Sequence, residues 1–293
     1  MRFESWLRRE RRELERRLKL ALPGARQYPQ RLHAAMRDSV LGGGKRLRPL
    51  LCRAAAQAIS GHPQAAAWPP ALALELLHAY SLIHDDLPAL DNDAWRRGRP
   101  TCHKAYGETT AILAGDGLQA LAFAQLGAVQ PPERARAMLR ELATAAGTPN
   151  GMVGGQMADM LAPGERATPA RLTYVHRHKT AALIRAALVL GGLAAGADRR
   201  QLRLLHRFGS NIGLAFQIVD DLLDLDGDPV AMGKSTGKDQ QQHKLTYPSL
   251  YGREKSQRMA RRLEHAALAT LATFASSAEP LRELTMRMVE RQT

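Results

Sequence analysis

The sequence is poor in aromatic residues and in cysteine, and it has no long apolar run. Phe, Trp and Tyr make up 5% of the 293 residues, which leaves few rings to stack on nucleic acid bases. The two cysteines, Cys52 and Cys102, have neither metal-ligand nor redox spacing, so we expect a reducing, cytoplasmic setting. The best membrane-spanning candidate, residues 181–197, is too short and contains Arg185, and the Arg- and Glu-rich N-terminus lacks a signal-peptide core. An integral membrane protein is therefore not expected.

β-branched residues are also scarce, whereas Ala, Leu and Arg are abundant. This composition favours helices, and no alternation of polar and apolar residues predicts a strand. Neither an internal repeat nor a domain linker is visible, so residues 1–293 are expected to form one all-α domain. The apolar periodicity and the Gly and Pro positions predict helices at about 1–20, 30–41, 50–60, 71–87, 111–127, 134–147, 168–187 and 202–225.

Lysine is rare among the basic residues, although the formal net charge is +14. Only eight of the 42 basic residues are Lys, and Lys45, Lys179 and Lys234 lie in motifs rich in Gly, Thr or Asp. A compact ammonium suits a phosphate group. Much of the remaining charge lies in helical stretches of mixed sign, which are typical of solvated faces. No DNA- or RNA-binding motif accompanies the charge, so a nucleic acid partner is not expected.

Three aspartates close an apolar helical run in the first half of the chain. Asp85 and Asp86 follow it directly, and Asp91 comes a few residues later. Because Pro88 cannot donate to the preceding turn, the helix should end or bend there and let Asp91 fold back. The partial negative charge of a helix C-terminus adds to the carboxylates and favours cations.

A second acidic group, Asp220, Asp221 and Asp224, lies far downstream. On an ideal helix Gln217, Asp220 and Asp224 share a face, whereas Asp221 points about 100° away. Two clusters of oxygen ligands without Cys or His predict one shared cage for Mg²⁺ or Mn²⁺ rather than Zn²⁺. The alternative is a pair of harmless, solvated acidic helix ends.

Cationic motifs accompany the aspartates. The loop from Gly42 to Pro49 carries Lys45, Arg46 and Arg48, and it favours a diphosphate over a plain helix connection. The adjacent Arg96 and Arg97 suit bidentate phosphate binding. Three further elements are left open: His78 as a ligand or a packing residue, Gln156 as a polar group lining a cavity, and residues 226–243 as a lid.

Taken together, these motifs resemble those of the trans-isoprenyl diphosphate synthases, also called polyprenyl synthetases. The likeness covers almost the whole chain and follows the same order. It rests on Gly43–Pro49, His84–Asp91, Arg96–Gly98, Gly154–Gln156, His178–Thr180, Phe216–Gln217, Asp220–Asp224 and Gly233–Lys234. One departure follows Asp91, where the family often continues in aspartates and this chain has Asn92 and Ala94.

The resemblance implies a large helical bundle of the isoprenoid synthase type with a central active-site cavity, and a homodimer. The substrates would be isopentenyl diphosphate and an allylic diphosphate, with Mg²⁺ as the cofactor and Mn²⁺ as the second choice. The residues that would bind isopentenyl diphosphate are Lys45, Arg48, His78 and Arg97. Those that would bind the allylic diphosphate are Arg96, Lys179, Thr180, Gln217 and Lys234. The metal ligands would be Asp85, Asp86, Asp91, Asp220 and Asp224, and the catalytic group would comprise these with Asp221, Lys179 and Lys234.

Product length is the last implication. In the family, the positions matching Tyr80 and Ser81 limit chain growth, and an aromatic ring there blocks extension. The Leu-Pro pair between Asp86 and Asp91 also resembles the bacterial farnesyl type, so a C15 product is expected. The alternatives are a geranylgeranyl or geranyl diphosphate synthase, then a class I terpene cyclase or a non-catalytic basic helical binding protein.

Overall fold

The structure is a computed structural model that describes residues 3–161, 167–226, 245–274 and 276–290. The expected all-α fold is confirmed, since the described residues form fourteen α-helices. Their bounds are α1 (Phe3–Ala21), α2 (Gln30–Leu41), α3 (Leu47–Ser60), α4 (Trp68–Asp85), α5 (Cys102–Tyr106), α6 (Glu108–Gly127), α7 (Pro132–Ala146), α8 (Met152–Leu161), α9 (Pro169–Val175), α10 (Ala181–Ala194), α11 (Arg199–Asp226), α12 (Tyr247–Tyr251), α13 (Arg253–Leu271) and α14 (Glu279–Val289).

Two buried helices, α4 and α10, organise the core. α4 packs against α6 and α3, while α10 packs against α3, α7 and α11. Both helices are apolar around most of their circumference, which is typical of helices enclosed by others. One cluster of buried side chains runs from Trp6 to Val289, so the first and last helices share the core with the central pair.

The start and end of α4 follow from proline. Pro69 and Pro70 occupy the first turn, where their missing N–H groups are not needed. The helix ends at Asp85, three residues before Pro88, because the residue before a proline is pushed out of the helical region. The backbone N–H of Asp86 still donates to the carbonyl of Leu82 at 3.1 Å.

The expected continuous helix over 168–187 is wrong in one respect. A π-helical stretch, His176–Thr180, lies between α9 and α10, and such bulges are frequent at functional sites. α8 approaches this stretch so closely that a Cβ on Gly155 would lie 2.1 Å from the backbone N of Lys179. Only glycine fits at that crossing.

A small antiparallel hairpin was not predicted. Strand β1 (Trp95–Arg96) pairs with β2 (Arg99–Pro100), and the turn residues Arg97 and Gly98 have φ values of 54° and 73°. Positive φ at both central positions is the turn geometry that hairpins favour. Two-residue strands are too short to show an alternating pattern, so periodicity could not reveal them.

Among the described residues, no helix is long and apolar enough to cross a membrane. The predicted lid begins at Asp226, the last residue of α11. The rest of it, including Lys234, lies outside the described residues.

Candidate active site

One cavity of about 580 Å³ contains residues of both acidic clusters. The ends of α4 and α11, the loop before α3, the hairpin, α8 and the π-helical stretch form its walls. The predicted site residues in its lining are Lys45, Arg48, His78, Ser81, Asp85, Asp91, Arg96, Arg97, Lys179, Thr180, Gln217, Asp220 and Asp221. Asp86, Asp224 and Tyr80 are not part of this lining.

The first cluster folds as expected. The backbone N–H of Asp91 donates to the carbonyl of Asp85 at 2.9 Å, which turns the loop back towards the helix end. Burial raises the pKa of the Asp85 carboxyl to about 6; the charge of Lys179 opposes the rise and that of Asp91 adds to it. A buried carboxylate among like charges is a position that a cation would stabilise.

Asp86 has a different environment. It is 3% exposed and forms a fork-like ion pair with Arg96, with Nε and Nη2 at 2.7 and 2.6 Å from Oδ1. Asp93 adds a second carboxylate 3.5 Å from the same guanidinium. The role of Asp86 as a metal ligand stays a prediction. In this structure its carboxylate holds Arg96 in the cavity wall.

The aspartates of the second cluster that line the cavity are not the pair that ideal helix geometry predicted. Asp220 lines the cavity as expected, but Asp224 is buried beyond it, and Asp221, expected off that face, lines the cavity as well. Asp221 accepts hydrogen bonds from Gln217 Nε2 and from the backbone N–H of Tyr247, both at 2.9 Å. The cavity wall therefore takes in residues from two faces of this helix.

A closed carboxylate cage is not seen: within the described ranges, no three His, Cys, Asp or Glu side chains meet at metal-binding distance. The donor set nevertheless fits a divalent cation. Mg²⁺ is usually held by one or two carboxylates together with substrate phosphates and water, rather than by an all-protein cage. Asp85 and Asp91 on one wall and Asp220 on another could each supply a carboxylate to such a metal ion.

Cations and His78 form one side of the cavity. The guanidinium of Arg97 donates to the carbonyl of Gly43, and a Cβ on Gly44 would lie 2.6 Å from that guanidinium. Burial lowers the pKa of Arg48. Burial and the adjacent arginines also lower the pKa of His78 well below its usual value, so His78 is neutral at physiological pH.

A second polar group surrounds the π-helical stretch. Lys179 Nζ lies 2.5 Å from Asp159 Oδ2, and Thr180 Oγ1 donates to Gln217 Oε1 at 2.5 Å. Gln156 lines the cavity, as considered from the sequence. Asp159 received no role from the sequence. Because Asp159 follows Gln156 by three residues on one helix, the two share a face, and this spacing could have placed Asp159 in the cavity wall.

Two buried donors in the cavity wall point to an anionic ligand. Arg48 Nε and Gln156 Nε2 have no hydrogen-bond partner among the described residues. A buried donor without a partner carries a desolvation cost of about 1–3 kcal/mol. An incoming oxygen-rich group would remove that cost.

Of the two residues predicted to limit chain length, only one lines the cavity. Ser81 lines the cavity, and its Oγ donates to the carbonyl of His78 at 2.9 Å. Tyr80 lies beside α6 instead: its ring meets the His84 ring edge-on at 4.9 Å between centroids, and its hydroxyl is hydrogen-bonded to the side chain of Gln119 in α6.

Comparison with known proteins agrees with this class of all-α synthase. The polyprenyl synthetase family model matches residues 29–277. The farnesyl diphosphate synthase of Escherichia coli is 49% identical over 82% of this chain and 81% of its own length. The chloroplastic geranylgeranyl pyrophosphate synthase 12 of Arabidopsis thaliana is 42% identical over 94% and 77%. The Helicobacter pylori geranyltransferase structure, complexed with magnesium and isoprenyl diphosphate, has a TM-score of 0.86 and 33% identity over 99% and 98%. The chain belongs to the polyprenyl synthetase family.

Proposed function

We propose that this protein is a short-chain trans-prenyltransferase that makes farnesyl diphosphate. It would join isopentenyl diphosphate to dimethylallyl diphosphate and then to geranyl diphosphate. The observation that carries this proposal is the presence of two cationic groups in the lining of one cavity. Arg97 contacts the loop that carries Lys45 and Arg48, whereas the charges of Arg96 and Lys179 both act on Asp85. Two diphosphates can then bind together, with the aspartates beside one of them.

The proposed chemistry is electrostatic. The C–O bond of the allylic diphosphate breaks and releases diphosphate, and the double bond of isopentenyl diphosphate attacks the resulting cation. The carbon next to the new cationic centre then loses a proton, which the released diphosphate can accept. When bound, divalent cations (Mg²⁺ first, Mn²⁺ second) would neutralise the leaving diphosphate. Lys179 and Arg96 would hold that diphosphate from the protein side, and Arg48 and Lys45 would fix the attacking substrate. Preorganised charge of this kind is usually the largest contribution to catalysis.

A C15 product is the finer part of the proposal. Ser81 and Tyr80 lie on α4 about one turn before Asp85, where a growing chain would extend away from the aspartates. Tyr80 packs outside the cavity lining, with its ring against His84, and we infer that a chain longer than C15 would reach past Ser81 and displace that ring. The relatives include both farnesyl and geranylgeranyl synthases, and the geranylgeranyl product remains the alternative.

Product analysis tests these points together. The protein is incubated with isopentenyl diphosphate, Mg²⁺ and either dimethylallyl or geranyl diphosphate, and the products are separated by chain length. We expect mainly C15 from both starters, and a shift towards C20 for Tyr80→Ala because removal of the ring leaves room for a longer chain. A wild type that makes mainly C20, or an unchanged distribution in the variant, would contradict the role of Tyr80 in limiting chain length. Cyclic hydrocarbons would favour a terpene cyclase.

We also infer a homodimer and a single domain over residues 1–293, in a cytoplasmic setting. The dimer is supported by α6, whose apolar residues are not confined to one face and leave Ile112 44% and Leu113 51% exposed. Exposed apolar side chains that lie side by side are a feature of interaction sites. The shared core cluster supports one domain, and the two buried free thiols suit a reducing compartment.

A further inference from the structure

Arg46 lies in the cationic loop but differs from its neighbours Lys45 and Arg48. It is 3% exposed, and its guanidinium is enclosed by protein groups. Nε and Nη2 contact the two oxygens of Glu15 at 2.7 and 3.2 Å. Nη1 donates to Glu75 Oε1 at 2.6 Å, and Nη2 also donates to the carbonyl of Val40 at 2.8 Å. Most of its five N–H donors are therefore committed within the protein.

The backbone of Arg46 is in an unfavourable conformation. Its φ and ψ are 53° and 33°, in the left-handed region, at the residue directly before α3. Side chains with a Cβ rarely adopt this region outside strained or functional positions. Here the turn separates Lys45, in the loop, from Arg48, in the first helical turn. The ion pairs of Arg46 with Glu15 and Glu75 are the contacts that hold it.

The two carboxylates come from distant helices. Glu15 belongs to α1, outside the cavity, with 38% of its side chain exposed. Glu75 belongs to α4, lines the cavity and is 4% exposed. The first helix supports the loop a second time, since Arg11 Nη2 donates to the carbonyl of Lys45 at 3.4 Å.

We propose that Arg46 is a positioning residue for isopentenyl diphosphate, and that Glu15 acts through it from the first helix. The ion pairs of Arg46 fix the turn, and the turn fixes where Lys45 and Arg48 stand. A loop that is ordered before binding loses less freedom when the ligand arrives. The inference rests on the proposed function, because that function assigns this loop to the diphosphate of isopentenyl diphosphate.

The test compares two glutamates of one helix. Glu15→Gln keeps the shape and removes the charge that anchors Arg46. Glu13→Gln is the matched control, because Glu13 contacts only Arg16 and Arg17 of α1 among the described hydrogen bonds, both at 2.7 Å. We expect Glu15→Gln to raise KM for isopentenyl diphosphate about tenfold, equivalent to about 1.4 kcal/mol. The KM for the allylic substrate and kcat should change by less than about twofold, and Glu13→Gln should change none of the three.

A second variant separates positioning from a general loss of structure. Arg46→Lys keeps one charge but cannot contact both carboxylates with a planar fork. In that background Glu15→Gln should add little further rise in KM, because the two changes remove one interaction. Equal rises in KM for both substrates, or additive effects in the double variant, would overturn the inference.

The outcomes also separate this inference from the proposed function. A wild type that forms no prenyl product refutes the function, whereas an active wild type with an unaffected Glu15→Gln variant refutes only the role of Arg46. Calorimetric titration with inorganic diphosphate gives an answer without turnover. Binding that is about tenfold weaker in Glu15→Gln than in Glu13→Gln supports the positioning role, and equal binding overturns it.

Discussion

Asp159 holds the ammonium of Lys179 in the cavity wall, so replacing its carboxylate tests how that cation is kept charged. The two groups lie 2.5 Å apart, with side-chain exposures of 23% for Lys179 and 8% for Asp159. Burial lowers the pKa of Lys179, but the charges of Asp159, Asp85 and Asp91 outweigh burial and raise it. Asp159→Asn keeps the shape and removes the first of those charges, so the pKa of Lys179 should fall.

The direction of the pH effect follows from that change. A lysine with a raised pKa stabilises the fold at pH below its usual pKa, and this contribution disappears as pH rises through the raised value. In Asp159→Asn the ammonium is lost at lower pH than in the wild type.

Breaking a buried pair costs about 3–5 kcal/mol of stability. A lost charged hydrogen bond to the allylic diphosphate is worth about 1.5–3 kcal/mol, or roughly ten- to hundredfold in kcat/KM.

The assay measures kcat/KM for the allylic substrate from neutral to alkaline pH. Urea unfolding over the same pH range measures the free energy of unfolding. The control is the double variant Asp159→Asn/Lys179→Arg, since a guanidinium stays protonated throughout this range. We expect the alkaline loss to begin earlier in the single variant and to vanish in the double one. Superimposable profiles for the wild type and the single variant would refute the reasoning.

Three further predictions concern the metal, a helix crossing and the dimer. Chelation should abolish turnover and Mg²⁺ restore it, and Asp220→Ala should lower kcat at least about a hundredfold with unchanged circular dichroism; near-normal turnover would exclude its role. Gly155→Ala places a Cβ 2.1 Å from the Lys179 backbone, so urea unfolding should show a loss of about 1–3 kcal/mol, and unchanged stability would contradict the close packing. Ile112→Glu should convert a sedimenting dimer to monomer, whereas a monomeric wild type would refute the dimer.

The local features of the site were accessible from sequence because each depends on neighbours along the chain. Pro88 predicted where α4 ends, and the return of Asp91 followed from that break. The cationic loop and the paired arginines were visible as short motifs. Ideal helix geometry was less reliable at Asp221, because the shape of a cavity decides which faces of a helix line it.

Features that depend on distant partners could not be predicted. Arg46 meets carboxylates 31 and 29 positions away, and Lys179 meets one 20 positions away. Only the packing of α1, α4 and α8 brings these groups together. The π-helical stretch has a similar origin, because local periodicity does not register one extra residue in a helical turn.

Three ion pairs around the cavity have the same effect on its cations. Each links a cation to a carboxylate of the protein: Arg96 with Asp86, Lys179 with Asp159, and Arg46 with Glu75. The pairing keeps cations charged in a buried site and fixes their positions before any ligand arrives. Arg48 Nε, in contrast, has no hydrogen-bond partner among the described residues. A diphosphate would therefore meet charges that are already oriented together with a donor that still needs an acceptor, and both conditions favour binding without rearrangement.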